Sequence, residues 1–348
     1  MSTIFSEQHE ATLLLDAALR DGPAHAYLFH GPAGVGKRDA ALRFGRALLG
    51  TQREFHPDLY ELDALGEMIR IDAIRELRRD LHMRPFEADR RVYILQRAHL
   101  LGEDAADALL KDLEEPPEYA VIVLVADDLG PLPVTIRSRC QLVPFRRLAE
   151  SSVRALVDAR APHLAEEQRV ALARVAAGRL DRLERLLDPQ AAERRETLIA
   201  QARATYRDES FDASAAASAL LANASARGEQ ARELEETRIE TLDLTARESE
   251  QRVKRAARGA EREELLAELE ELGAWYRDLV AVAVGAESAA IHFDKLAELR
   301  EDATLERLSG AEKAAEEVRE TWRRLEEFNL SPQLALEALF GRIARELT

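Results

Sequence analysis

Short apolar runs alternate with stretches of helical periodicity over the first 150 residues. The apolar runs have the length and composition of β-strands, and they are Ala26–His30, Asp58–Leu62, Arg91–Gln96, Ala120–Val125 and Gln141–Phe145. The stretches between them have apolar residues at three- and four-residue spacing, which predicts helices at Arg38–Leu49, Asp72–Leu81 and Asp104–Leu113. Because strands alternate with helices, we predict a mostly parallel sheet with helices on both faces.

Beyond residue 148 the periodicity is helical throughout. Short helices are predicted around Gly178, at Ser151–Asp158, Ala165–Ala177 and Leu180–Leu187. The stretch Gly228–Leu272 mixes acidic and basic residues with leucines at helical spacing. This pattern predicts a long solvated amphipathic helix or a helical hairpin, and a coiled coil that binds a partner is the alternative. The chain is therefore expected to combine an α/β part with an all-α part.

The composition narrows the classes of function. The 348 residues suffice for two or three domains, and the formal net charge of −16 argues against a surface that coats nucleic acid or anionic lipid as a whole. A local basic patch stays compatible with that charge. The single cysteine, Cys140, excludes an intrachain disulfide and a zinc site built from cysteines. We expect no membrane segment, no secretory signal and a cytoplasmic protein.

The sequence GPAGVGK has the setting of a phosphate-binding loop, because it follows a predicted strand and opens a predicted helix. Gly31, Gly34 and Gly36 allow the backbone N–H groups to approach phosphate oxygens closely. Lys37 is the residue that would reach the β- and γ-phosphates. These four residues are the candidate cofactor-binding residues.

Two residues that would hold magnesium in such a site are replaced. Arg38 follows the P-loop lysine, where a Ser or Thr hydroxyl would bind Mg²⁺. The strand Arg91–Gln96 ends in Gln96, where an aspartate would orient the metal. We therefore predict that the chain does not hydrolyse ATP and requires no cofactor. Binding of ATP or ADP in this degenerate loop without magnesium stays open.

Several motifs in one order carry a family resemblance. They are the P-loop, FHPDLYEL (Phe55–Leu62), DALLKDLEEPPE (Asp107–Glu118), IRSRC (Ile136–Cys140), GRLDRLERLLD (Gly178–Asp188) and SPQLALEALF (Ser331–Phe340). Together they resemble the clamp-loader branch of the AAA+ ATPases. With its altered metal residues, the chain resembles the delta-prime subunits of bacterial DNA polymerase III clamp loaders rather than the gamma or tau ATPase subunits.

This resemblance implies an architecture of three domains. They are an AAA+ P-loop α/β domain at 1–147, a helical lid at 148–195 and a helical collar for oligomerisation at 196–348. It also implies that Arg139 acts as an arginine finger in the ATP site of a neighbouring subunit. Without that context, an exposed arginine at a sheet edge is a solvated charge. Arg137 is expected to be structural or phosphate-positioning.

The implied partners are gamma- or tau-like ATPase subunits, a delta-like subunit, the sliding clamp and primed DNA reached through the assembly. The segment Ile74–Arg84 has four arginines on or near one helix, Arg75, Arg78, Arg79 and Arg84, which either follow DNA phosphates or form a solvated face. Two other functions stay open: an active ATPase subunit of the same branch, and an AAA+-derived adaptor with no role at DNA.

The sequence departs from the family pattern in two places. Some delta-prime relatives carry a four-cysteine zinc module before the HPD segment, and here residues 49–53 bridge that position without cysteine, so zinc is not expected. ATP-binding members have a second sensing arginine after the lid glycine. In this chain either Asp181 or Arg182 occupies that position, depending on a shift of one residue.

Overall fold

The computed structural model describes residues 8–53, 55–62, 68–239, 246–328 and 330–347. It contains two compact units, Met1–Glu184 and Arg185–Thr348. This division falls inside the predicted lid, and the predicted domain boundaries at 147/148 and 195/196 stay predictions.

The first unit is built on a five-stranded parallel sheet with the order β2-β3-β4-β1-β5. The strands are β1 (Ala26–His30), β2 (Leu59–Leu62), β3 (Arg91–Leu95), β4 (Ala120–Ala126) and β5 (Gln141–Pro144). Each lies within one residue of its predicted bounds. Strands β3 and β4 are buried along their whole length, as their continuous apolar sequences predict. The predicted parallel sheet is confirmed.

Helices cover both faces of this sheet and continue beyond it. They are α1 (His9–Asp21), α2 (Lys37–Leu48), α3 (Ile71–Leu81), α4 (Glu103–Glu114), the single turn α5 (Val134–Arg137), α6 (Glu150–Arg160), α7 (Glu166–Ala176) and α8 (Leu180–Leu187). A short 3₁₀ turn spans Ala98–Leu100. The sequence did not predict α1 or the single turn α5, whereas the six helices that it did predict in this part lie within two residues of their bounds.

The side chains of β1 alternate between two apolar cores. Tyr27 and Phe29 pack with Phe44 of α2 on one face, and the ring centroids of Tyr27 and Phe44 are 5.0 Å apart. Leu28 belongs to the core on the other face, with Leu77 of α3. This alternation follows from the period of two in a strand. Because β1 lies between β4 and β5, the loop after β1 opens beside the carboxyl ends of both neighbours.

The second unit is helical in its described part. Its main helices are α9 (Pro189–Arg207), α10 (Ala213–Ile239), α11 (Ala246–Ala283), α12 (Leu296–Asp302), α13 (Leu308–Glu327) and α14 (Pro332–Leu347). Two 3₁₀ turns, Glu287–Ala289 and Phe293–Lys295, precede α12. The class predicted from the sequence, an α/β P-loop part followed by helices, is confirmed. No helix in the described ranges has the length and hydropathy to cross a membrane.

Helices α10 and α11 form an antiparallel hairpin. Near its open end, Asn223 donates a hydrogen bond to Glu268 at 2.8 Å. Farther along α10, Glu235 forms an ion pair with Arg252, so the residue numbers on the two helices run in opposite directions. Of the alternatives for Gly228–Leu272, the hairpin is confirmed on either side of residues 240–245, which lie outside the described residues. A coiled coil with a partner stays untested.

Candidate functional site

The loop between β1 and α2 has the backbone of a phosphate-binding loop. Its glycines have positive φ values of 138° at Gly31, 74° at Gly34 and 92° at Gly36. A Cβ atom at Gly31 would lie 2.1 Å from the carbonyl oxygen of Phe145, so a larger residue would strain the loop and collide with backbone. The loop shape predicted from the sequence is therefore present.

The side chain of Lys37 is turned into the protein. Only 4% of the residue is exposed, and Nζ donates hydrogen bonds to the carbonyl oxygens of Gly31 at 2.6 Å and Pro32 at 2.5 Å. A third contact, 2.7 Å long, pairs Nζ with Oδ1 of Asp127 at the end of β4. Burial lowers the pKa of Lys37, while the charge of Asp127 acts in the opposite direction. An ammonium group has three protons, and three protein oxygens surround this one.

The two residues at the magnesium positions are joined through a third. Arg38 donates to both carboxylate oxygens of Glu61, from Nε at 2.7 Å and from Nη2 at 3.0 Å. Gln96, which is 4% exposed, donates from Nε2 to Oε1 of the same carboxylate at 3.0 Å. Glu61, which no motif of the sequence singles out, lies on β2. The pairing of β2 with β3 places it beside the end of the strand that Gln96 follows.

The start of α8 contacts the P-loop. The backbone N–H of Leu180 donates to the carbonyl oxygen of Gly34 at 2.7 Å. The carboxylate of Asp181 lies against Gly34, since a Cβ atom there would be 1.9 Å from its Oδ1. Arg179 holds this carboxylate with Nη2 2.7 Å from Oδ2. Of the two candidates for the second sensing position, Asp181 lies against the loop with its carboxylate. Arg182, the other candidate, is only 8% exposed.

Arg139 lies between α5 and β5. Its Nη1 donates to the carbonyl oxygen of Thr135 at 2.9 Å, and its Nη2 forms an ion pair with Oε1 of Glu114, the last residue of α4. One third of the Arg139 side chain is exposed. No hydrogen bond or ion pair of the described residues joins Arg139 to the P-loop. Nearby, Nε of Arg137 is buried and has no hydrogen-bond partner among the described residues.

The basic helix α3 is partly neutralised. Arg75 pairs with Asp72 at 3.3 Å, and Arg78 pairs with the buried Asp112 at 2.5 Å. Arg79 and Arg84 form no ion pair with the described residues. The choice between DNA contact and a solvated face stays open.

The thiol of Cys140 is a packed side chain. Burial raises the pKa of Cys140 to about 12, which disfavours the reactive thiolate. Within the described part of the chain, no three His, Cys, Asp or Glu side chains are grouped to hold a metal ion. The expectation that no zinc is bound stays a prediction.

Comparison with known proteins supports the family resemblance over the first part of the chain. The sequence profile of the family described as "DNA polymerase III, delta subunit" matches residues 7–149. The DNA polymerase III subunit tau of Bacillus subtilis is 32% identical over 167 residues, covering 43% of this chain and 30% of that protein. The subunit delta' of the same organism is 31% identical over 171 residues, covering 44% of this chain and 52% of that protein. The resemblance to DNA polymerase III clamp-loader subunits is confirmed.

The clamp-loader resemblance has defined limits. The chain spans about half or less of the length of these two relatives. A gamma subunit-related protein of Thermotoga maritima aligns over 97% of this chain and 100% of its own, with 19% identity and a TM-score of 0.45. Both tau and delta' subunits match at nearly the same identity, so the similarities do not distinguish between these two kinds of subunit.

Proposed function

We propose that the chain is a non-hydrolysing, delta-prime-type clamp-loader subunit that supplies Arg139 to the ATP site of a neighbouring subunit. The observation that carries this proposal is the contrast within one sheet domain. The P-loop cation Lys37 is buried among protein oxygens, whereas the guanidinium of Arg139 is partly exposed.

The geometry around the P-loop supports the loss of hydrolysis. Mg²⁺ requires oxygen ligands, and the position that would supply a hydroxyl carries the Arg38 cation, paired with Glu61. The amide nitrogen of Gln96 donates a hydrogen bond to the same carboxylate. The carboxylate of Asp181, paired with Arg179, occupies the space against Gly34, where a phosphate would approach. Phosphoryl transfer depends mainly on electrostatic stabilisation of the transition state. A site that cannot hold Mg²⁺ therefore lacks the main contribution to its rate.

The position of Arg139 supports a role in trans. A guanidinium has five N–H donors, and the Thr135 carbonyl and Glu114 carboxylate engage only part of them. A guanidinium placed against the γ-phosphate stabilises the charge of the transition state, with an effect of about 10³–10⁵ in rate in GTPases. In a ring of subunits, this exposed edge can enter a site built by the neighbour.

The proposed assembly contains gamma- or tau-like ATPase subunits and a delta-like subunit, and it loads the sliding clamp on primed DNA in the cytoplasm. In this role the chain requires no cofactor of its own. ATP or ADP bound in the degenerate P-loop without magnesium would be a structural ligand rather than a substrate.

The test is ATP hydrolysis by a reconstituted ring with clamp and primed DNA. Arg139→Ala should slow hydrolysis at the neighbouring ATP site by about 10²-fold or more, the scale of removing one transition-state donor, and the steady-state rate of the ring should fall by the share that this site contributes. Arg146→Ala is the matched control, because its side chain is 83% exposed and pairs with a glutamate, Glu10, at 3.7 Å. Full activity of the Arg139→Ala ring would exclude the finger role.

A second measurement separates the proposal from an active ATPase subunit. The purified chain with MgATP should show only background turnover. Sustained hydrolysis that is lost on Lys37→Ala would assign the activity to this P-loop and favour the tau-like alternative. An adaptor with no role at DNA would neither join the ring nor alter its rate.

A further inference from the structure

We propose that Glu114 is a positioning residue that holds Arg139 in the orientation it needs at the neighbour's ATP site. This inference rests on the proposed function of Arg139. It begins with the ion pair between Nη2 of Arg139 and Oε1 of Glu114, which joins the end of α4 to the turn that follows α5.

The local helix does not account for an acid at this position. Glu114 is the last residue of α4, where the partial negative charge of the helix terminus disfavours a carboxylate. The pair also adds little to folding, since the two side chains are 33% and 49% exposed and exposed ion pairs contribute little. The main effect of this ion pair is therefore on the position of the Arg139 guanidinium.

Acceptors from two different elements, α4 and α5, hold the guanidinium of Arg139, and the Ser138 hydroxyl adds a long contact to Nη1 at 3.5 Å. The Thr135 carbonyl oxygen accepts from Nη1 at 2.9 Å, and Glu114 holds Nη2 from the other side. A long arginine side chain otherwise samples many rotamers, and that freedom is lost when it docks on a phosphate. Holding the side chain beforehand reduces this loss, and the donors that remain are available to a phosphate.

The experiment uses the reconstituted ring with clamp, primed DNA and MgATP. Glu114→Gln keeps the size of the side chain and removes its charge, and it should lower kcat about tenfold, since small misplacements of a catalytic group are costly. The KM for ATP should stay unchanged, because Glu114 does not contact the nucleotide in this proposal. Glu115→Gln is the control: Glu115 is the adjacent exposed acid and forms no ion pair with the described residues.

The double variant identifies the route by which Glu114 acts. If Glu114 works through Arg139, then Glu114→Gln should cause no further loss in an Arg139→Ala background. Additive losses would indicate a separate structural role and overturn the proposal. Gel filtration of each variant should check that the ring assembles, and thermal unfolding should check that the chain is folded.

The outcomes distinguish this inference from the function on which it rests. If Arg139→Ala slows the ring and Glu114→Gln leaves kcat within about twofold, the positioning role is wrong and the finger role stands. A faster Glu114→Gln ring would show that the acid restrains Arg139, which also contradicts positioning. If Arg139→Ala itself has no effect, both proposals fail.

Discussion

Lys37 and Arg139 are two cations of the same sheet domain with opposite surroundings. Lys37 is 4% exposed and meets two carbonyl oxygens and the Asp127 carboxylate. Arg139 is one-third exposed and meets one carbonyl oxygen and the Glu114 carboxylate. Sequence motifs identify both residues, but only their surroundings determine which of the two cations is exposed to a ligand. The comparison shows that two cations identified by motifs in one unit differ strongly in burial and in the number of protein oxygens that surround them.

The largest effect should come from substituting the cation at each of the two places. Arg139→Lys should slow ATP hydrolysis by the ring about 10–10²-fold, because lysine has no planar fork of donors. Lys37→Met should leave that rate within about twofold, since Lys37 does not act on the neighbour's nucleotide. A comparable loss for both variants would show that the P-loop cation is also active.

A buried carboxyl group with fewer partners extends the comparison to the second unit. Glu268 is 3% exposed and accepts one hydrogen bond, from Asn223, while its Oε2 has no hydrogen-bond partner in the described residues. Burial raises the pKa of Glu268 to about 8. The folded protein therefore favours the protonated carboxyl, and stability should be greatest below about pH 4.5 for this group and fall as the pH rises to about 8.

Glu268→Gln should remove this contribution to the pH dependence. At pH 8 the variant should gain about 2 kcal/mol in unfolding free energy over the parent, and the gain should disappear near pH 5. Urea unfolding at the two pH values measures the difference. Glu270→Gln is the control on the same helix. An equal gain at both pH values would mean that ionisation of Glu268 is not the cause.

Asp181 allows a test of whether its carboxylate, which lies against Gly34, opposes nucleotide binding in the P-loop. Asp181→Asn keeps the shape of the side chain and removes the charge beside Gly34, so it should raise the affinity for a fluorescent ADP analogue about tenfold. Adding Lys37→Met should cancel the gain. Glu184→Gln, at an exposed acid of the same helix, is the control. Unchanged affinity in Asp181→Asn would show that its carboxylate does not oppose nucleotide.

The smallest effect concerns stability. The pair of Glu114 and Arg139 is exposed, so Glu114→Gln should change the unfolding free energy by less than about 1 kcal/mol, with a Tm shift of a few degrees at most. Calorimetry of the isolated chain checks this. A larger loss would mean that Glu114 supports the fold, and its effect on the ring would then need that explanation first.

The strands and most helices could be predicted because their periodicity is strong. Strands β3 and β4 are continuous apolar runs, and both appear within one residue of their predicted bounds. The P-loop glycines were predicted from the spacing alone. Helix α1 was missed, and residues 240–245 of the predicted charged segment lie outside the described residues.

The contacts that Glu61 and Asp181 make around the P-loop could not be predicted in the same way. Glu61 reaches Arg38 and Gln96 only because β2 pairs with β3, and strand register is not visible in one sequence. Asp181 depends on the position at which α8 begins, and a shift of one residue would replace its carboxylate with a guanidinium. Local patterns predict elements, whereas these contacts arise from packing between elements.

The carboxylate of Glu61 also links the two magnesium positions to each other. It holds Arg38 through two hydrogen bonds and Gln96 through a third. A substitution that introduced a hydroxyl at residue 38 would break the two arginine bonds and leave the amide of Gln96 in place after β3. A magnesium site at this P-loop would therefore need coordinated changes on separate elements, and each single substitution would remove contacts of Glu61 without completing the set of ligands.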